Sequence, residues 1–140
     1  APAVLSTIMV GRELGIPAMA SLRSIHNIEG KHALSAQLMV GLILRSGLAA
    51  YFRPVRISDT EATYETLRKG EGNQPFQLTH TLDMAKQAGL VKPNSGWTKN
   101  PTDMLCSRAS SRLARLIYPD LIAALYTPEE VSEIEDHGNA

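Results

Sequence analysis

Residues 96–118, GWTKNPTDMLCSRASSRLARLIY, carry the clearest structural instruction in the chain. Asn100 stands at an N-cap position, Pro101 fills the first helical position where no amide donor is needed, and Asp103 lies near the positive end of the helix dipole. The spacing predicts a helix that starts there and runs to Pro119. At 100° per residue, Arg108, Arg112 and Arg115 fall within about 60° of one another, while Leu105, Ala109, Leu113 and Leu116 occupy the neighbouring arc. One face is core, and the next is a ladder of guanidiniums.

Upstream of it, Lys92 to Ser95 reads as a loop. Before that, Thr81 caps a short helix that ends at Gly89, and Phe76 to His80 forms a short strand. Tyr51 to Ile57 and Ala62 to Arg68 are rich in β-formers and straddle the polar loop Ser58-Asp59-Thr60-Glu61, which predicts an antiparallel hairpin. Pro54 cannot donate to a ladder, so its strand belongs at an edge or a bulge. Ser35 caps a helix over Ala36 to Ser46 that closes at Gly47, apolar enough to be buried on most sides. Ser21 to Ile28 and Lys31 to Leu34 flank Glu29-Gly30 as a second hairpin. The first helix, from Val4, stops at Gly15, with Pro17 as a further stop signal. Downstream, Thr127-Pro128-Glu129-Glu130 opens a short acidic helix. The expected class is α+β: a small antiparallel β-sheet of hairpins packed with helices, and a long C-terminal basic amphipathic helix.

A chain of 140 residues suits one domain with a proper core. It opens with Ala1-Pro2-Ala3 rather than Met and has no basic leader or cleavage signal, so it reads as a fragment. No run approaches the ~20 apolar residues of a membrane span. The single cysteine, Cys106, cannot form an internal disulfide and falls on the apolar side of the predicted helix. The net charge of zero conceals a segregation. All 14 basic residues lie at or before Arg115, against eight acids in the same span, a net +6; the remaining six acids give the tail −6. A basic body with an acidic tail suits a polyanion-binding protein, or one that pairs its two ends internally.

The motifs of catalysis are not met. His26, His32, His80 and His137 have no ligand-spaced partners, Gly30-Lys31 lacks the rest of a phosphate loop, and there is no nucleophile elbow. The carboxylate pairs Asp59/Glu61 and Glu129/Glu130 fall at a hairpin tip and at a helix start. The basic residues offer more. Arg53 and Arg56 near Tyr51, Lys99 before the long helix, and Arg108, Arg112 and Arg115 along it could neutralise phosphates, while Trp97 or Tyr51 could stack on a base. Together they would form a groove for a single strand. Against this stand a merely solvated helix face and a Trp97 that plugs the core at the helix start.

The order Ser95-Gly96-Trp97, Pro101, Met104-Leu105, Arg108-Ala109, Ala114-Arg115-Leu116 and Tyr126 followed by Glu129-Glu130 resembles the C-terminal core motif of the phage RecT/Bet (Red beta) family of single-strand annealing proteins. Leu14-Gly15-Ile16-Pro17 is similar to the family's short helix end, and Leu38 to Gly47 followed by Tyr51 to Glu65 is similar to its central helix and strand pair. Thr102 and Asp103 stand where relatives can be basic, and the region after Gly70 is abbreviated.

The resemblance implies an ATP-independent, cofactor-free recombinase of a phage or prophage, acting in the bacterial cytoplasm and not an enzyme in the bond-breaking sense. Its partners would be single-stranded DNA, the annealed duplex intermediate and further copies of itself in a ring or helical filament. A phage exonuclease and a host single-strand-binding protein are further candidates. Residues 1–118 would be the annealing core and 119–140 an acidic helical segment of the same domain or of a contact between protomers. Arg108 and Arg115 carry over as backbone contacts; Arg112, Lys99, Trp97, Arg53 and Arg56 complete the candidate DNA-binding set. The competing class is a structural or partner-binding module whose basic helix meets an acidic protein.

Overall fold

The computed structural model describes residues 2–28, 31–70 and 72–122, together with Thr127. The predicted acidic helix after Thr127 lies outside the described residues. Helix α1 (Pro2–Glu13) ends as its glycine requires: Gly15 takes φ 73°, a left-handed conformation that costs other residues a steric clash. Arg45 donates from its guanidinium to the Leu14 and Gly15 carbonyls, which the helix leaves without amide partners.

Pro17 does more than stop α1. Its φ of −58° presents Ala18 to Ser24 as a second helix, α2, whose Ser21 hydroxyl donates back to Pro17 O at 3.0 Å. The predicted first hairpin arm is therefore too long. Residues 21–24 are helical because Ser21 finds its partners within its own turn and because Gly11 lets α1 and α2 approach closely. The hairpin begins only at Ile25, with β1 (Ile25–Ile28) antiparallel to β2 (Lys31–Leu34) and Ile25 opposite Leu34.

Helix α3 (Ala36–Ser46) has the expected ends. Ser35 Oγ accepts from the Leu38 amide at 3.1 Å, and Gly47 closes the helix at φ 80°. It is less buried than its composition predicts: Ala36, Met39, Leu42 and Ile43 face the core while Gly41, Leu44 and Arg45 are exposed. Being apolar does not bury a residue on the side of a helix that no other element covers.

The main sheet has three antiparallel strands, β3 (Ala49–Ile57), β4 (Glu61–Arg68) and β5 (Phe76–Thr81), in that order. Pro54 lies on an edge strand at a shift of register between Pro54 and Arg56, so its missing donor breaks no central ladder. Thr81 Oγ1 then accepts from the Met84 amide to start α4 (Leu82–Gln87).

A single turn, α5 (Gly96–Lys99), precedes the long helix α6 (Pro101–Ile117), and Asn100 joins the two. Its backbone closes α5 through a 2.7 Å bond to Gly96 O and opens α6 by accepting from the Met104 amide. Its side chain makes no cap hydrogen bond, contrary to expectation. Pro119 ends α6 and begins α7 (Pro119–Ile122).

Helix α6 lies across the inner face of the sheet, against β4 and β5, with α3 beside it. Leu113, Ala114, Tyr118 and Ile122 join Met39, Ile43 and Phe52 in one core; Leu105 and Ala109 join Ala62, Ala85 and Trp97 in the other. Each fully buried leucine among them contributes about 1.5–3 kcal/mol relative to exposure. Beyond residue 118, Ile122 of α7 packs into the first core. Asp120 also receives a bidentate pair from Arg68, with nitrogen–oxygen distances of 2.9 and 2.8 Å. Arg68 further donates to Ile117 O at 2.7 Å, satisfying a carbonyl of the last turn of α6. Among the described residues no helix is long and apolar enough to cross a membrane.

Candidate nucleic-acid interface

Strand alternation divides the candidate residues between two faces of the sheet. On β4, Ala62, Tyr64 and Thr66 turn toward α6, so Glu61, Thr63, Glu65 and Leu67 turn away. Arg53 pairs with Glu65 at 3.3 Å and Arg56 with Glu61 at 3.0 Å, which places both arginines on the outer face. In a regular strand, residues three apart point to opposite sides; the bulge after Pro54 restores Arg56 to the side of Arg53. The Arg53 guanidinium also lies 4.2 Å from the centre of the Tyr51 ring. Glu65 is held below the usual carboxylate range by the Gln77 amide, with Arg53 adding to it. The outer face thus carries neutralised pairs.

The single groove expected from Arg53, Arg56 and the α6 arginines does not form. The sheet stands between them, because burial of Phe52 against Tyr64 and Tyr118 fixes which side of β3 faces inward.

The α6 arginines differ among themselves. Arg112 is exposed, whereas Arg108 and Arg115 are half-buried, so the ladder is not a uniformly solvated row. Arg108 runs beside Trp97, Met104, Ser107, Ser111 and Thr127 in a narrow crevice, and its Nε is enclosed. Lys99 is exposed at the end of α5. Trp97, expected as a stacking platform or as a plug, is only 6 % exposed and packs with Ala62, Leu105 and Ala109. A ring covered on this scale has no face to offer a base, which removes Trp97 from the direct contacts.

A residue not singled out in the sequence completes this side. His80, at the end of β5 and 4 % exposed, sits with its ring 6.1 Å from that of Trp97. Its Nδ1 lies 3.2 Å from Arg112 Nη1. A guanidinium can only donate, so Nδ1 is the acceptor and the ring proton belongs on Nε2. Burial first, then the Arg112 and Arg108 charges, lower the His80 pKa to about 4, and the imidazole is neutral at physiological pH. Positions 80 and 112 share no helical or strand spacing, so nothing in the sequence links them.

Cys106 is half-buried beside Tyr64, whose phenol is pushed up to about 12 by burial and by its hydrogen bond with the thiol. Among the described residues no group of three histidine, cysteine or acidic side chains converges as a metal site would require. One face presents an exposed guanidinium beside a neutral imidazole, and the other presents charge-compensated pairs. No family model matches the chain, and no curated protein or solved structure matches it.

Proposed function

We propose that this protein binds single-stranded DNA and anneals complementary strands in ATP-independent homologous recombination. The reading rests on the resemblance of residues 95–130 to the RecT/Bet family, and the observation that carries it is Arg112. It is exposed, it makes no carboxylate pair among the described residues, and it stands on the same face of α6 as Arg108 and Arg115. Annealing requires the phosphates to be neutralised while base edges stay free to test pairing, which arginines on a helix accomplish without an active site.

One protomer of this size covers few nucleotides, so useful affinity comes from repeating the site in a homo-oligomer, a ring or a helical filament. On this reading the chain is of phage or prophage origin, works in the bacterial cytoplasm without a cofactor, and hands its product to repair with a partner exonuclease or host single-strand-binding protein. The test is annealing of two complementary oligonucleotides by the purified chain at low salt, with electron microscopy for rings or filaments. Annealing that weakens steeply with salt supports the reading; no acceleration over the protein-free rate overturns it.

A second reading, a partner-binding module, is favoured by the exposed apolar side chains of Leu5 and Met9 on α1 and Met19 on α2, 61 %, 58 % and 68 % exposed. It predicts no DNA binding either by the whole chain or after removal of residues 128–140. The annealing reading predicts DNA binding by the whole chain.

A further inference from the structure

Among the described residues, arginines meet partners of at least three kinds. Arg53, Arg56 and Arg68 meet carboxylates, which cancel their charge. Arg45 meets the backbone carbonyls at the end of α1. Arg112 meets a neutral imidazole, an acceptor that restrains the guanidinium and leaves its full positive charge in place. We infer that His80 is a positioning residue, which holds Arg112 outward so that its remaining donors grip a phosphate of the bound strand.

The geometry supports this in three respects. A guanidinium has five N–H donors in a fixed fork; one is given to His80 Nδ1, and the exposure of Arg112 leaves others facing solvent. The imidazole is itself walled in, with the Trp97 ring against it and Ala62 opposite it across the β4–β5 pair, so it forms a rigid backstop. A free arginine would lose side-chain entropy on gripping an anion, and a restrained one has lost part of it already. The inference deepens the annealing proposal and rests on it.

The experiment measures binding of a dye-labelled single-stranded oligonucleotide by fluorescence anisotropy across a salt series. It uses the full chain, Arg112→Ala, His80→Leu, His80→Asn and the double variant Arg112→Ala/His80→Leu, with a melting curve for each. Arg112→Ala is expected to weaken binding and to reduce the salt slope by about 0.7, one phosphate contact on a single strand. His80→Leu, which keeps apolar bulk and removes the acceptor, is expected to weaken binding by about 2- to 10-fold, the range for freeing one long side chain, with little change of slope. His80→Asn, whose Oδ1 falls near the position of Nδ1, is expected to recover most of that loss. In the Arg112→Ala background, His80→Leu should add nothing.

The inference is overturned if Arg112→Ala weakens binding while His80→Leu matches the wild type, or if His80→Asn is as weak as His80→Leu despite an unchanged melting temperature. If the wild-type chain itself leaves the oligonucleotide unbound, the annealing reading falls and takes this one with it. Should His80→Leu melt below the assay temperature, His80→Gln, whose acceptor lies away from the Nδ1 position, replaces it with the same expected loss.

Discussion

The hydroxyls of Thr66 and Tyr118 lie 2.6 Å apart in the core, joining the middle strand of the sheet to the residue that ends α6. Both side chains are fully buried, and Thr66 Oγ1 also lies 2.8 Å from Tyr51 O. Thr66 therefore donates to the carbonyl and accepts from the phenol, a chain in which each group has its partner. Tyr118→Phe leaves Thr66 with its carbonyl and should cost about 0.5–1.5 kcal/mol. Thr66→Val strands the Tyr118 hydroxyl in the core and should cost more, about 1–3 kcal/mol. Urea denaturation of the two variants checks the order; equal losses would mean that the phenol has another partner.

Gly11 and Gly41 are both helical and should respond to alanine in opposite directions. A methyl group at Gly11 would collide with the Ser21 side chain, its Cβ coming within 2.6 Å of Ser21 Cβ, so Gly11→Ala forces α1 and α2 apart. The expected loss is about 1–3 kcal/mol. At Gly41 the added methyl meets nothing within 4 Å, and alanine is the better helix former, so Gly41→Ala should gain about 0.5–1 kcal/mol. Thermal melts of both read the contrast.

Stability should decline on mild acidification through His80. Its folded pKa, about 4, lies below the ordinary 6.5. As pH falls below 6.5 the unfolded chain takes up a proton that the folded chain refuses, so stability is lost down to about pH 4 and this contribution then levels off. The groups facing the ring are Arg112 and Arg108 on α6, Trp97 on α5 and Ala62 on β4. Urea midpoints for wild type and His80→Gln across that range should converge as pH falls. Parallel curves would place the acid sensitivity elsewhere.

If α6 is the DNA face, its arginines and those of the outer sheet face should separate in one binding assay. Arg108→Ala, Arg112→Ala and Arg115→Ala should each weaken single-strand binding and each flatten the salt dependence by about 0.7. Arg53→Ala and Arg56→Ala remove charges already compensated by Glu65 and Glu61 and should change little. An equal effect of Arg53→Ala would move the interface to the outer face.

Trp97 is the only tryptophan, so intrinsic fluorescence reports its surroundings directly. A ring 6 % exposed should emit at short wavelength and resist quenching by iodide, and Trp97→Ala should cost about 3–5 kcal/mol. Ready quenching in the folded state would restore the stacking role.

Local chemistry was legible in the sequence. Ser35 and Thr81 cap the helices that follow them, Gly15, Gly47 and Gly89 take the left-handed conformation, and Pro54 sits at an edge-strand bulge. Each of these depends on a residue and its neighbours a few positions away. The errors arose where distant residues decide. Ser21 to Ser24 became helical because of Pro17 and the close approach at Gly11, and Gly41, Leu44 and Arg45 leave one side of α3 exposed because, among the described residues, no element covers it.

The candidate site follows the same division. The sequence alone determined that Arg108, Arg112 and Arg115 share one side of a helix beginning at Pro101, because 3.6-residue periodicity is a property of the backbone. It left Trp97 open between two roles and gathered Arg53 and Arg56 with the helix arginines. Only the tertiary structure put those two behind the sheet with carboxylate partners, closed the core over Trp97 and brought His80 to Arg112. Contacts between residues 32 apart in the chain form when β5 and α6 share a core, and no local periodicity encodes that encounter.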